Sequence, residues 1–175
     1  MAKLFEKFGE FDSAEELNRT AEGLKAEGDI ESLRILAEEN GLDPEDAEDY
    51  INGDIPRLTN RALAADGKLT VEEKAAGFPE DSLINDWVNY IRQEMTETAG
   101  METAIRRKGK SLTGCIGAIM AEAFKNQWTV PKDVITAAKI SAQKVTFGVP
   151  SMGKTKEIIR NYYLGQEAAD EEKGD

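Results

Sequence analysis

Apolar positions recur at helical spacing along most of the chain, and glycine or proline closes nearly every run. Leu4, Phe5 and Phe8 fall on one side of a short amphipathic helix expected over residues 2–9. Ser13 and Glu16 then make a capping box, the hydroxyl accepting from the third helical amide while the carboxylate reaches back to the cap amide. It opens a helix to about Glu27 with Leu17, Ala21 and Leu24 inward and Gly28 at its end. Asp29 caps a helix over 30–40 on Ile30, Leu33, Leu36 and Ala37, closed by Gly41. Asp43-Pro44 starts another that ends at Gly53, with proline at the first helical position, where its missing N–H costs nothing.

From Asp54 to Glu80 the pattern loosens around Pro56, Gly67, Gly77 and Pro79. Two short helices are expected here, one over Leu58 to Ala65 and one after Thr70, which with Glu73 forms a second capping box. Asp81 or Ser82 caps a longer helix to about Ala99 on Ile84, Trp87, Val88, Ile91 and Met95. Gly100 breaks it, and a short helix over 101–108 delivers Arg106, Arg107 and Lys108. Ser111 then caps the most apolar helix in the chain, with Leu112, Cys115, Ile116, Ile119, Met120, Ala123 and Phe124 on one face and small residues on the others. That pattern places it at the centre of a bundle. A helix from Pro131 to about Ala142 has Val134, Ile135 and Ala138 inward, and a last one covers about Lys154 to Leu164. The expected fold is all-α: a multi-helix bundle of about seven to nine short helices in two subdomains. Its parts are a unit over 1–53, a connector over 54–80, a unit over 81–165 and a disordered tail over 166–175.

Charge changes this picture more than any motif. Residues 1–100 carry 10 Lys and Arg against 25 Asp and Glu, whereas residues 101–165 carry 11 against 4. Such asymmetry points to charged partners, a basic protein groove for the acidic part or nucleic acid for the basic part. The densest acidic run, Asp43, Glu45, Asp46, Glu48 and Asp49, reads first as a solvated face with acids favoured near helix N-termini, and second as a candidate protein-binding face that imitates phosphate spacing. Arg106, Arg107, Lys108, Lys110, Lys132 and Lys139 are candidate nucleic-acid contacts, against the alternative that they pair with the chain's own acids.

Catalytic chemistry finds little to work with. Histidine is absent and Cys115 is the one cysteine, which excludes His-based acid–base catalysis, disulfides and Cys/His zinc sites within one chain. Cys115, on an apolar face, reads as an inert buried thiol. The stretch Gly148 to Thr155 satisfies G-x-x-x-x-G-K-[ST]. A nucleotide hydrolase also needs further parallel strands and a metal-holding Asp downstream, and only 20 residues follow Thr155. The preferred reading is a turn before a helix, with Gly153, Lys154 and Thr155 kept as a candidate anion loop. Ala64 and Ala62 stand where a calcium loop through Asp66 would need ligands, so calcium is rejected. No metal, cofactor or reaction is expected. Without a signal-peptide pattern or an 18-residue apolar window, the expected location is the cytoplasm.

The run KLFEKFGEFDSAEELNRTAEGLKAEGDIESLRILAEENGLDPEDAEDYINGD, with INDWVNYI and KGKSLTGCIGAIM further on, resembles small proteins of bacterial conjugative elements and phages. Some proteins of this sort act as anti-CRISPRs, inhibitors of Cas9. The resemblance implies a stoichiometric, non-catalytic inhibitor that binds Cas9 or the Cas9–guide RNA complex and needs no cofactor. It assigns no functional residue. The alternative is a nucleic-acid-binding accessory protein of a mobile element, acting on DNA or RNA through the basic C-terminal half.

Overall fold

The computed structural model describes residues 4–165. Among them lie α1 (Ala14–Glu27), α2 (Ile30–Glu39), α3 (Pro44–Asn52), α4 (Arg61–Ala76), α5 (Leu83–Glu97), α6 (Met101–Arg106), α7 (Leu112–Lys125), α8 (Lys132–Ala137) and α9 (Met152–Leu164). Between them a two-stranded antiparallel ribbon pairs β1 (Trp128–Thr129) with β2 (Thr146–Phe147). The fold is thus the expected all-α arrangement of many short helices. It divides into two compact units, Met1–Thr113 and Gly114–Asp175. The tail over 166–175 lies outside the described residues.

Local chemistry places the first three helices where the sequence puts them. The Glu16 amide donates to Ser13 Oγ at 3.1 Å, and the Glu16 carboxylate accepts from Asp12 N, one residue before the cap, at 2.6 Å. Asp29 and Asp43 cap α2 and α3 through the amides of Ser32 and Glu45. Leu17, Ala21, Leu33, Leu36, Ala47 and Tyr50 bury against one another in a core shared by α1, α2 and α3. The N-terminal segment departs from expectation. Residues 4–8 form a turn rather than a helix, because Phe5 takes a left-handed conformation (φ 53°) and Gly9 N closes on Phe5 O at 3.0 Å.

The larger correction concerns the loosely patterned middle. Instead of two short helices there is one, α4, capped by Asn60 through the Leu63 amide at 2.9 Å and running unbroken past Gly67 to Gly77. Thr70 and Glu73 are therefore mid-helix residues and no capping box. Both reach Arg92 on α5, and Asp66 does the same at 2.9 Å. Gly67 is tolerated in the helix because the α2–α3 turn passes directly over it: a side chain there would overlap the Asn40 carbonyl oxygen, and one on Gly41 would overlap the Gly67 carbonyl. This close crossing makes α4 a packing element of the first unit, set against α6, α5 and α1. The segment 54–80 is accordingly no mere connector.

In the second unit Cys115, Ile116, Ile119 and Ala123 of α7 are buried as the periodicity requires, but Met120 and Phe124 are not, Phe124 being 79% exposed. The helix thus buries only part of its apolar face. After it, α8 stops at Ala137, five residues short of expectation, where Lys139 turns left-handed (φ 54°). Of its expected inward residues only Ile135 is buried; Val134 and Ala138 are exposed.

The glycine crossing yields a test. An interior helical glycine normally costs about 0.5–1 kcal/mol relative to alanine. Gly23→Ala in α1, where the space is open, is expected to raise unfolding stability by about that amount. Gly67→Ala is expected to lower it by about 1–3 kcal/mol through overpacking. Urea unfolding followed by circular dichroism measures both, and equal effects would rule out the crossing.

Candidate functional site

The acidic run occupies the start of α3, where carboxylates are favoured by the free amides and the helix dipole. Its five members are not equivalent. Asp43 is engaged as the cap, its Oδ1 accepting from Glu45 N at 2.8 Å, and Glu48 is held by Arg34 across two contacts of 2.5 and 3.0 Å. Glu45, Asp46 and Asp49 take part in none of the ion pairs among the described residues. Asp49 stands four residues after Glu45 and three after Asp46, so its Cβ lies roughly 5–6 Å from each of theirs. Ala47 and Tyr50 anchor that helix in the core.

Two clefts flank α3. One, of about 410 Å³, has Ala37, Leu42, Pro44, Ala47 and Val71 in its walls and Glu38, Glu48 and Lys74 among its polar groups. The other, of about 440 Å³, combines Leu58 and Leu63 with Asp43, Asp46 and Asp66. The first also carries Arg34 and Lys74, whereas the second sets three carboxylates beside leucines, a lining that can receive the aliphatic stem and charged head of a lysine or arginine.

The candidate basic residues are dispersed. Arg106 is no surface cation: it is 1% exposed, its Nη2 donates to Asn40 Oδ1 at 2.5 Å, and its guanidinium lies 5.7 Å from the Phe5 ring centre. Burial draws its pKa down to about 10, with Glu10, Glu72 and Glu16 pulling the other way. Lys108 is exposed but pairs with Glu16 at 3.5 Å, and its amide donates to Asp12. Arg107 is exposed and Lys110 half-buried, both on the loop leading to α7. Lys132 and Lys139 are exposed in the second unit. The reading in which the cations serve the chain's own acids therefore holds for Lys108, while Arg106 is spent inside the fold on Asn40 and the Ala64 carbonyl.

One cluster escaped the sequence reading. Lys68, fully buried in α4, donates to Glu10 Oε1 at 2.5 Å and to the carbonyls of Arg107 and Lys110 at 3.0 and 2.6 Å. Glu72 lies one turn on, 4.0 Å from Lys68, and accepts from Leu112 N at 2.8 Å. Burial raises the Glu72 pKa, and the Leu112 amide and Lys68 only partly oppose it. Once α4 is one helix the signal is legible, since Ala64, Lys68 and Glu72 then share its inward stripe. Cys115 behaves as expected, its buried thiol pushed up to about 12.

The phosphate-loop pattern resolves into unrelated roles. Gly148 is required by packing, because a side chain there would overlap the Ala123 carbonyl oxygen. Ser151 Oγ caps α9 at the Lys154 amide, Lys154 Nζ turns to Glu157 at 3.0 Å, and Thr155 is buried with its hydroxyl unpartnered. A phosphate cradle needs the lysine and hydroxyl turned toward one anion, and Gly153, Lys154 and Thr155 do not form it. Among the described residues no His, Cys, Asp and Glu group is placed to hold a metal, and no helix is long and apolar enough to cross a membrane.

Two measurements check these assignments. Arg106→Ala opens a cavity and strands Asn40, so it is expected to cost about 2–4 kcal/mol of stability, whereas Lys108→Ala is expected to stay within about 0.5 kcal/mol. Glu72 has a folded pKa above its ordinary value, so ionising it costs stability at neutral pH, and that cost fades as pH falls through the raised pKa. Glu72→Gln, which keeps an acceptor for Leu112, is expected to be the more stable protein at pH 7. It should lose that advantage toward pH 4.5, the ordinary glutamate value, in urea midpoints taken across the range.

Compared with protein-family models, with curated proteins and with solved structures, the chain matches none.

Proposed function

We propose that the protein is a non-catalytic inhibitor that sets the carboxylates of α3 into a basic groove of a protein partner. The observation that carries this is Asp46, which shares the core-anchored helix α3 with Glu45 and Asp49 and also lines the cleft that holds Leu58, Leu63 and Asp66. A row of carboxylates alone attracts any cation, but a cleft of this lining adds a pocket for the stem of a particular arginine or lysine. The resemblance to inhibitors carried by conjugative elements and phages names Cas9, or its guide RNA complex, as the partner to try first. Cas9 suits the chemistry, because it reads its adjacent motif with arginines and holds its heteroduplex in a cationic channel.

A second reading is favoured by the exposed Lys132 and Lys139: a nucleic-acid-binding accessory protein acting through the second unit. The two readings separate in one assay. Gel shifts of Cas9, guide and target DNA across a salt series are expected to lose the Cas9–DNA complex as the protein is added, with no shift of DNA by the protein alone. The triple change Glu45→Lys, Asp46→Lys, Asp49→Lys should raise the inhibitory concentration at least about tenfold, a loss of about 1.4 kcal/mol. Salt-sensitive DNA binding with Cas9 still active would instead support the accessory protein.

A further inference from the structure

The second unit exposes more large apolar side chains than the first, where Leu4, Leu63 and Leu83 are the exposed ones among the described residues. Between residues 126 and 151 Ile135 alone is buried, while Trp128, Val134, Ile140 and Phe147 are each at least 50% exposed, and Phe124 stands at the end of α7 just before them. Trp128 and Phe147 are in ring contact, so at least these two form one continuous exposed apolar surface, the kind that marks a binding site when single exposed residues do not. Lys125, Lys132, Lys139 and Lys144 lie on the same stretch, against Asp133 as its one acid.

The charge decides among occupants. A second copy docking by two-fold symmetry would set the same patch against itself and bring these lysines face to face, which is unfavourable. An anion is the better match. The apolar part is also specific in kind: Trp128 and Phe147 are cross-strand partners on the ribbon, with ring centres 5.9 Å apart and planes at 69°. An edge-to-face pair covers at most one face of each ring and leaves flat aromatic surface open. Open aromatic faces among lysines are the two components by which proteins hold single strands, the rings stacking on bases and the cations following phosphates.

We infer that the ribbon arm over 124–151 is a binding site for single-stranded nucleic acid, with Trp128 and Phe147 as its stacking platform. It rests on the second reading above only in needing a polyanion; single-strandedness is what it adds. Sequence-specific readout is no part of it, since stacking serves every base.

The chain supplies its own probe, because Trp87 is 3% exposed and Trp128 is 52% exposed, so acrylamide quenches the second selectively. The full-length protein would be titrated with a 20-nucleotide oligo(dT), with a duplex of that length and with polyglutamate of matched charge, between 50 and 200 mM salt. The expected result is preferential binding of oligo(dT), with Trp128 quenched and then shielded from acrylamide. Trp128→Ala and Phe147→Ala should each weaken it at least about fivefold at unchanged helix content. Should Phe147→Ala disturb the ribbon, Phe124→Ala at the end of α7 serves in its place. Duplex bound as tightly as oligo(dT) would overturn the inference while leaving the accessory reading standing. Polyglutamate bound equally well, no binding of oligo(dT) at all, or a dimer abolished by Trp128→Ala would overturn it as well.

Discussion

The first unit depends on a lysine with no access to water. Taking the Lys68 ammonium out of solvent costs several kcal/mol, and the fold offsets this only by surrounding it with a carboxylate and two carbonyls. Those acceptors come from far apart in the sequence: Glu10 precedes the first helix, while Arg107 and Lys110 belong to the loop before α7. Satisfying one buried cation therefore ties the entry of the chain to its middle and fixes both ends of that loop. Arg106 repeats the device, bridging Asn40 at the end of α2 to the Ala64 carbonyl on α4. With the glycine crossing at Gly41 and Gly67, these contacts gather α1 to α6 into one body.

This arrangement explains which parts of the fold were legible in the sequence. Caps and glycine stops depend on neighbouring residues only, so α1, α2 and α3 could be read directly from Ser13, Asp29, Asp43 and the glycines that follow. The α4 error has the opposite origin. Gly67 and the capping pair Thr70 and Glu73 each argue locally for a break, and only the passage of Asn40 and Gly41 overhead, with Arg92 drawing on Asp66, Thr70 and Glu73, makes a continuous helix the better solution. Arg106 misled for a related reason. A cation within Arg-Arg-Lys reads as surface charge, and nothing nearby in sequence announces Asn40, 66 residues away, as its partner. The acidic face was readable as composition, but its clefts were not, since Leu63, Asp66 and Val71 come near Pro44 only once the α2–α3 turn crosses α4 at Gly67.

The same physics separates the two units. In the first, cations are used as internal ties, and the carboxylates left over at Glu45, Asp46 and Asp49 gather on one helix. In the second, most of the segment after α7 is neither buried nor paired into a larger sheet, and its two strands are two residues each. An isolated two-stranded ribbon is marginal in water. Here it is steadied by the Trp128–Phe147 pair and by Gly148, whose missing side chain lets the ribbon close on the last turn of α7.

That asymmetry bears on how two binding activities could reside in one small chain. An acidic surface and an anion-binding arm would neutralise each other if both were free to approach, and long lysine side chains on a mobile segment would readily find 34 carboxylates. The first unit limits this by committing Lys108 to Glu16 and Arg106 to Asn40 and the Ala64 carbonyl, which removes both cations from competition. The exposed lysines of the second unit lie outside the ribbon: Lys125 ends α7, Lys132 opens α8, and Lys139 and Lys144 stand between α8 and β2. Lys125 and Lys132 are thus placed by helices, so that part of the charge is arranged before a polyanion meets it and loses less ordering entropy on binding. Charge alone would make the chain self-quenching; spending cations inside the first unit is what lowers that tendency.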